Sequence, residues 1–176
     1  GSKDTCIMEA CEYQDSFLSF TPNIAVILNI DLDHTDYFSG LDNIIDSFSK
    51  YAAIADDGYA VYNSDSENVL SAMRNYKGKR VTFGLESDAV FTAVNIVFDH
   101  GRAEFDILKK GTLFAHIKLG VTGRHNILNS LAAAAAADIC GVPAEAVEEL
   151  LGIALDGDAA GRAPEKGVKT NGKRPN

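Results

Sequence analysis

The sequence lacks several features that would place it in a special class of protein. Its 176 residues contain no tryptophan, four prolines and three cysteines, and Cys6, Cys11 and Cys140 do not form Cys-x-x-Cys pairs. An odd cysteine count without that spacing argues against a disulfide framework or a zinc site and favours a reducing compartment. The longest apolar stretch, residues 131–137, is too short to span a bilayer, and the N-terminus lacks the blocks of a signal peptide. We therefore expect a cytoplasmic protein without a membrane segment.

Basic residues are also scarce. Sixteen Lys and Arg stand against twenty-five Asp and Glu, which gives a formal net charge of −9 at pH 7. Sequence-independent binding of nucleic acid requires a basic surface, so we expect no nucleic acid partner. A polyanionic ligand would need backbone N–H donors or a metal ion to offset the repulsion. With 46% hydrophobic and 23% charged residues, the composition is that of an ordinary globular domain.

Short apolar runs that alternate with helical patterns predict an α/β fold, with a mostly parallel sheet flanked by helices. The run IAVILNI at 24–30 is nearly all apolar, as expected for a strand covered on both faces. Apolar residues at 41–52 recur with helical spacing, and Ser39 is a candidate N-cap for that helix. The other predicted strands are 5–8, 59–62 and 80–83, and a short helix is predicted at 67–76.

The second half of the chain has a different pattern. Three strand-like runs, at 89–98, 103–108 and 113–119, are separated by Asp-His-Gly and Lys-Lys-Gly turns, which predicts a small antiparallel β patch appended to the sheet. A helix at 126–140 contains six consecutive alanines and ends at Gly141, and Pro143 opens a last helix that runs to about residue 153. We expect one domain at 4–155, a lead-in at 1–3, and a tail or linker at 156–176.

Two acidic clusters follow predicted strands. Glu9 comes after the first, and Asp31, Asp33 and His34 come after the second. Ligands of open α/β sheets bind at the carboxyl ends of parallel strands, so these clusters can converge on one site. Carboxylates with a nearby histidine suit a divalent cation that carries phosphates. The alternative is that these residues lie in solvated loops and turns.

A third cluster, Gly-Arg-His-Asn-Ile-Leu-Asn, begins the helix near residue 126. Asn126 and Asn129 lie three residues apart and share a helix face, where amide side chains can donate to and accept from a purine edge. The alternative is a capping asparagine beside a polar exposed turn.

Together, three ordered motifs resemble the central ATP-binding domain of the Mur ligases, whose fold is P-loop-NTPase-like. They are EACEYQDSFLSFTP from Glu9, AVILNIDLDHTDYF from Ala25 and GRHNILNSLAAAAA from Gly123, and the resemblance runs from about Asp4 to about Gly172. It implies an ATP-dependent carboxylate–amine ligase of peptidoglycan synthesis. The implied cofactors are ATP and Mg²⁺, and the implied partners are UDP-N-acetylmuramate and L-alanine.

The resemblance also implies roles for five residues. Glu9 and His34 would be the catalytic metal ligands, holding a magnesium ion between the γ-phosphate and the substrate carboxylate. His125, Asn126 and Asn129 would bind the nucleotide, with Asn129 contacting the adenine. Lys50 lies where several relatives carry a carbamylated lysine, but the resemblance does not assign it that role.

The chain departs from the family pattern at three places. It contains no Gly-Lys-Ser or Gly-Lys-Thr of a phosphate-binding loop, and Asn171-Gly172-Lys173 echoes such a loop without the Ser or Thr. The family's Gly-x-x-Arg-Arg-Phe is reduced to one arginine, with Ala163 next to it. Both flanking domains are also missing from the sequence. We therefore expect a ligase fragment that is inactive alone.

Two other interpretations stay open, a non-catalytic binding module and a relative of folylpolyglutamate synthetase; the run EACEYQDSFL argues against the second. A sheet without its family's first strand exposes an edge, and such edges recruit strands. We therefore also expect self-association of the fragment.

Overall fold

The structure is a computed structural model that describes residues 5–154. The predicted lead-in at 1–3, the tail at 156–176 and the two divergent motifs within that tail lie outside the described residues. Within 5–154, every helix and strand predicted from residue 24 onward is confirmed, with ends that differ by at most four residues. The strands are β1 (Ile24–Ile27), β2 (Tyr59–Asn63), β3 (Lys79–Gly84), β4 (Phe91–Asp99), β5 (Arg102–Lys109) and β6 (Thr112–Thr122). The helices are α1 (Leu41–Ile54), α2 (Glu67–Ala72), α3 (His125–Ile139) and α4 (Ala144–Ala154), and a 3-10 helix covers Tyr13–Ser19.

The six strands form one mixed sheet in the order β1-β2-β3-β4-β5-β6. β1 to β4 are parallel, although β4 pairs only with the end of β3, at Phe83↔Phe91 and Gly84↔Thr92. β5 and β6 are each antiparallel to the preceding strand. The predicted combination of parallel sheet and antiparallel patch is confirmed, and the patch continues the sheet. Two reversals leave β6 running in the same direction as β1, β2 and β3.

Helices cover both faces of the sheet. On one face, α1 and α2 pack against Ala25, Ile27, Ala60 and Tyr62 of the first two strands. On the other face, α3 packs against a cluster that includes Val61, Phe83 and Phe91. Three alanines of α3 are fully or almost fully buried there, which allows the helix backbone to approach the sheet closely: Ala132, Ala134 and Ala135. No helix within residues 5–154 is long and apolar enough to cross a membrane.

The prediction of a strand at 5–8 is wrong. These residues carry no strand assignment, and β1 is the edge of the sheet as described. A strand is stable only when its backbone groups pair with a neighbour. This segment has no such ladder, and the Ile7 side chain is 93% exposed.

Two local predictions around β1 and α1 also need correction. β1 is not covered on both faces, because Ala25 and Ile27 are buried while Val26 is 41% exposed. That face of β1 is only partly covered, since Ile24 packs against the cluster around α3 while Val26 remains exposed. Ser39 does not cap α1: Gly40 is the N-cap residue, and the Ser39 hydroxyl bonds to Asn43 instead.

Candidate functional site

Polar loops follow the carboxyl ends of β1, β2, β3 and β6, on the side of the sheet where α/β proteins bind ligands. Hydrogen bonds connect each loop to the next. The Asn68 amide of α2 donates to the Ile30 carbonyl oxygen at 2.8 Å. After β2, Asp65 accepts hydrogen bonds from the backbone that follows β3. In that same loop, Glu86 pairs with Arg124 at the start of α3 at 3.1 Å. The second and third sequence motifs therefore belong to one connected edge.

His34 is the central residue of the loop after β1. Its backbone is left-handed, with a φ of +49°, and its N–H donates to the Asp33 carboxylate at 2.7 Å. Its Nε2 lies 3.4 Å from the Glu12 carboxylate oxygen, and its ring centroid lies 4.8 Å from that of Tyr13. The carboxylate in contact with His34 is therefore Glu12, a residue to which the sequence assigned no role.

Glu9 was expected to reach His34 from a neighbouring parallel strand, and that route is wrong because the preceding residues form no strand. Glu9 lies instead in irregular chain ahead of the 3-10 helix. The assignment of Glu9 and His34 to one magnesium ion stays a prediction.

The donors around His34 fit a Mg²⁺ ion that keeps most of its ligands from water or substrate, and they do not form a metal site made of protein side chains alone. Among residues 5–154, no group of three or more His, Cys, Asp or Glu side chains is arranged to hold a metal ion. Mg²⁺ is usually bound through one or two protein carboxylates together with substrate phosphates and water. An imidazole beside a carboxylate, as at His34 and Glu12, supplies two protein ligands and leaves the remaining positions around such an ion to water or phosphate.

Two tyrosine–aspartate hydrogen bonds cross between the 3-10 helix and the loop after β1. Tyr13 donates to Asp36 at 2.7 Å, and Tyr37 donates to Asp15 at 2.8 Å. The hydrogen bond to Asp36 raises the pKa of Tyr13, and the hydrogen bond to Asp15 raises the pKa of Tyr37. Asp15 also accepts from Ser47 of α1. These bonds tie together two segments that are far apart in sequence.

The start of α3 is shaped by Gly123 and two asparagines. Gly123 has a φ of +107°, and a Cβ there would lie 2.6 Å from the His125 ring, so only glycine fits this turn. The Asn126 amide donates to the Thr122 carbonyl oxygen at 2.9 Å, and the Asn129 amide donates to the Asn126 side-chain oxygen at 3.2 Å. Asn126 is thus engaged with its surroundings and is not the helix cap. Asn129 is exposed, and its own side-chain oxygen accepts no hydrogen bond from residues 5–154.

Asp65 organises the middle of the edge, and the sequence analysis missed it. Its carboxylate accepts from the backbone N–H groups of Leu85 at 2.6 Å, Ser87 at 2.8 Å and Glu86 at 3.3 Å. Partial burial works to raise the pKa of Asp65, but these hydrogen bonds outweigh it and lower the pKa overall. A Cβ on Gly84 would lie 2.5 Å from the Asp65 carboxylate, so this close approach requires glycine. The only sequence signal was a short polar run after β2.

A second titratable cluster lies on the solvent-facing side of strands β5 and β6. The His116 Nδ1 is 2.7 Å from the Asp106 carboxylate, and its Nε2 is 3.3 Å from Glu104. Asn95 also donates to Asp106, and Lys118 pairs with Glu104 at 3.0 Å. The hydrogen bond to Asp106 raises the pKa of His116, and the same bond lowers the pKa of Asp106.

The fold and the connected edge define an α/β protein of the class that binds ligands at the carboxyl ends of its strands. More particularly, the chain belongs to the Mur ligase family, because the family described as Mur ligase middle domain matches residues 1–137.

Curated relatives name one member of that family. The chain is 44% identical over 153 residues to the UDP-N-acetylmuramate–L-alanine ligase of Caldicellulosiruptor saccharolyticus, covering 86% of this chain and 34% of that enzyme. It is also 44% identical over 134 residues to the enzyme of that name from Clostridium botulinum, covering 75% of this chain and 29% of the relative. The chain thus spans about a third of the length of the curated relatives it matches.

Solved structures agree on the fold. MurF from Acinetobacter baumannii superposes with a TM-score of 0.69 at 25% identity, covering 78% of this chain and 30% of that one. The UDP-N-acetylmuramate-alanine ligase of Thermotoga maritima superposes with a TM-score of 0.64 at 27% identity and the same coverages. The chain therefore has the mixed α/β architecture of Mur ligases.

Proposed function

We propose that this chain is the central ATP-binding domain of a ligase that joins L-alanine to UDP-N-acetylmuramate, a cytoplasmic step of peptidoglycan synthesis. The observation that carries the proposal is its 44% identity, over 86% of its length, to an enzyme named for that reaction. The connected polar edge supports the proposal, because it offers metal donors after β1 and amide groups at the start of α3.

In this proposal, Glu9 and His34 hold Mg²⁺, while His125, Asn126 and Asn129 border the adenine. A bound Mg²⁺ supplies positive charge at the transferring phosphoryl group. Asn129 presents a side-chain oxygen and a second amide hydrogen to solvent, a donor–acceptor pair that matches the edge of adenine.

The chain alone is expected to show no ATP hydrolysis. The 176 residues contain no Gly-Lys-Ser or Gly-Lys-Thr, so no such loop and lysine cradle the phosphates. Hydrogen bonds of the asparagines with adenine contribute only about 0.5–1.5 kcal/mol each. We therefore expect Mg-ATP to bind with a Kd in the millimolar range or weaker, and millimolar binding corresponds to about 4 kcal/mol.

Nucleotide binding is tested by NMR titration of the ¹⁵N-labelled chain with Mg-ATP. Shift changes should concentrate on residues 123–129 and the edge loops, and Asn129→Ala should remove them. Asn75→Ala, at an exposed turn, is the matched control and should leave them unchanged. Shifts confined to another face would contradict the proposed site. Micromolar binding that Asn129→Ala abolishes would contradict the expected weak affinity, because the remaining site would then bind without the phosphate loop. ATP hydrolysis above that of a Glu9→Ala control would contradict the expected inactivity.

Ligation is tested in a chimera. Residues 5–154 replace the matching segment of a full-length UDP-N-acetylmuramate–L-alanine ligase, which supplies the phosphate loop and the flanking domains. With ATP and UDP-N-acetylmuramate present, we expect release of ADP that depends on L-alanine and is lost in His34→Ala. A chimera that folds and binds Mg-ATP but releases no ADP with L-alanine would favour the second candidate, a non-catalytic binding module.

A further inference from the structure

We propose that Tyr13 is a positioning residue for His34. Its ring, anchored at the hydroxyl by Asp36, holds the His34 imidazole so that Nε2 faces Glu12. This inference rests on the proposed function in one respect, because it takes His34 to be a metal ligand. The test therefore includes a readout of ring orientation that needs no metal.

Contacts with Tyr13 and Glu12 hold the His34 imidazole, and Asp36 of the same loop holds Tyr13. The Tyr13 and His34 rings are in contact, with centroids 4.8 Å apart and planes inclined by 43°. The Tyr13 hydroxyl donates to Asp36 at 2.7 Å, and Asp36 lies two residues after His34 in the same loop. On the other side of the imidazole, Nε2 lies 3.4 Å from Glu12, the neighbour of Tyr13. Residues 12–13 therefore contact the loop after β1 at two residues, His34 and Asp36.

The backbone conformation of His34 explains why its ring needs these contacts to keep one orientation. His34 has a φ of +49°, a left-handed conformation that a residue with a Cβ rarely adopts and that persists only where the surroundings enforce it. The side chain of His34 is also 34% exposed, so packing alone leaves the ring room to turn. The contact with Tyr13 and the adjacent Glu12 supply the missing restraint.

Tyr37 provides a matched control. It also donates its hydroxyl to an aspartate of the opposite segment, at 2.8 Å from Asp15. Its ring contacts those of Tyr13 and Phe38, and no contact with the His34 ring is formed. Loss of either hydroxyl removes one bond of the same type between the same two segments, but only Tyr13 holds the imidazole.

The experiment uses the 176-residue chain labelled with ¹³C and ¹⁵N in histidine, with the His34 signals identified from a His34→Gln variant. Ring shifts of His34 and cross-relaxation with residue 13 report orientation without metal. Mn²⁺ alone is then titrated, and broadening of the His34 signals gives its affinity. The variants are Tyr13→Phe, Tyr37→Phe and Asp36→Asn, and thermal unfolding of each reports global stability.

Tyr13→Phe should shift the His34 ring signals and weaken Mn²⁺ binding by about threefold to tenfold, which is less than the full contribution of a hydrogen bond to a charged acceptor because the hydroxyl acts on the ion only through the imidazole. Tyr37→Phe should change the affinity less than twofold at similar thermal stability. Asp36→Asn should resemble the unmodified chain, because an amide oxygen still accepts the hydroxyl. Unchanged His34 ring signals in Tyr13→Phe, or equal changes in both tyrosine variants, would overturn the proposal. Absence of Mn²⁺ broadening at His34 in the unmodified chain would overturn the metal assignment, and the ring signals would still decide the role of Tyr13.

Discussion

Replacing Asp65 with alanine tests what holds the loops of the edge together. The carboxylate accepts two short backbone hydrogen bonds, from Leu85 at 2.6 Å and Ser87 at 2.8 Å. A hydrogen bond to a charged group contributes about 1.5–3 kcal/mol, but water replaces part of it at an exposed residue such as Asp65. We therefore expect Asp65→Ala to lower the free energy of unfolding by about 2 kcal/mol. For a domain of this size, the unfolding temperature should fall by about 4–8 °C.

Urea unfolding followed by circular dichroism measures this loss, and amide hydrogen exchange localises it. Protection of the Leu85 and Ser87 amides should decrease. The control is Asp88→Ala, which removes an equal charge from an exposed position of the adjoining loop after β3 and should change stability by no more than about 0.5 kcal/mol. Gly84→Ala should reproduce the effect of Asp65→Ala, because its methyl group would lie 2.5 Å from the carboxylate. Equal stability of the two aspartate variants would refute the reasoning.

The pH dependence gives an independent check on Asp65. Its pKa is lowered in the folded chain, with partial burial opposing the shift and the backbone N–H groups outweighing that opposition. A group with a lowered pKa stabilises the folded state above its unfolded pKa and loses that contribution as the pH falls through the folded value. The stability gap between the unmodified chain and Asp65→Ala should therefore be full above about pH 5 and narrow below about pH 4.

Three further predictions concern other parts of the fold. Lys109 pairs with both oxygens of Asp138 at 2.6 and 2.7 Å, so a double-mutant cycle with Lys109→Met and Asp138→Asn should give a coupling of about 1 kcal/mol that decreases with salt; a cycle with no coupling would contradict it. The hydrogen bond to Asp106 raises the pKa of His116, so protonated His116 should stabilise the folded state fully below about pH 6 and lose this contribution as the pH rises through the raised pKa. His116→Gln should therefore lower the thermal stability at low pH and have less effect at high pH. A loss of stability that does not change with pH would contradict this prediction. The chain should self-associate through the open edge of β1, and Val26→Lys should reduce this; sedimentation that shows only monomer at micromolar concentration would exclude it.

Most of the fold could be predicted because each element from β1 to α4 has a local signal. The two Gly-containing turns fix the β4–β5 and β5–β6 hairpins, with φ values of +80° at Gly101 and +77° at Gly111. Gly141, at +75°, ends α3 as predicted. Residues 5–8 were wrongly predicted as a strand, because strand propensity without a pairing neighbour does not make a strand. The exposed side of β1 was missed for a related reason, since an apolar run does not reveal whether a helix covers both of its faces.

The candidate site was predictable only in part. The loops at the carboxyl ends follow from strand order and direction, and the sequence places His34 and Asn129 in them. The contacts that shape the site join residues far apart in sequence, such as Tyr13 with Asp36 and Asp65 with Leu85. Neither follows from periodicity or a local motif, because each depends on how two loops meet after the sheet has formed. The contact of Glu12 with His34 was missed for the same reason.

The unequal strength of the contacts along the edge determines how its two ends communicate. Asp65 makes a strong central link, with three backbone N–H groups on one carboxylate. The link from the loop after β3 to α3 is the ion pair of Glu86 with Arg124, whose side chains are 76% and 65% exposed. Such an exposed pair contributes at most about 1 kcal/mol, so we expect it to couple the start of α3 only weakly to the loop of His34. In the proposed function, cooperation between adenine and metal ion must therefore come from a ligand that spans the edge and contacts both ends directly.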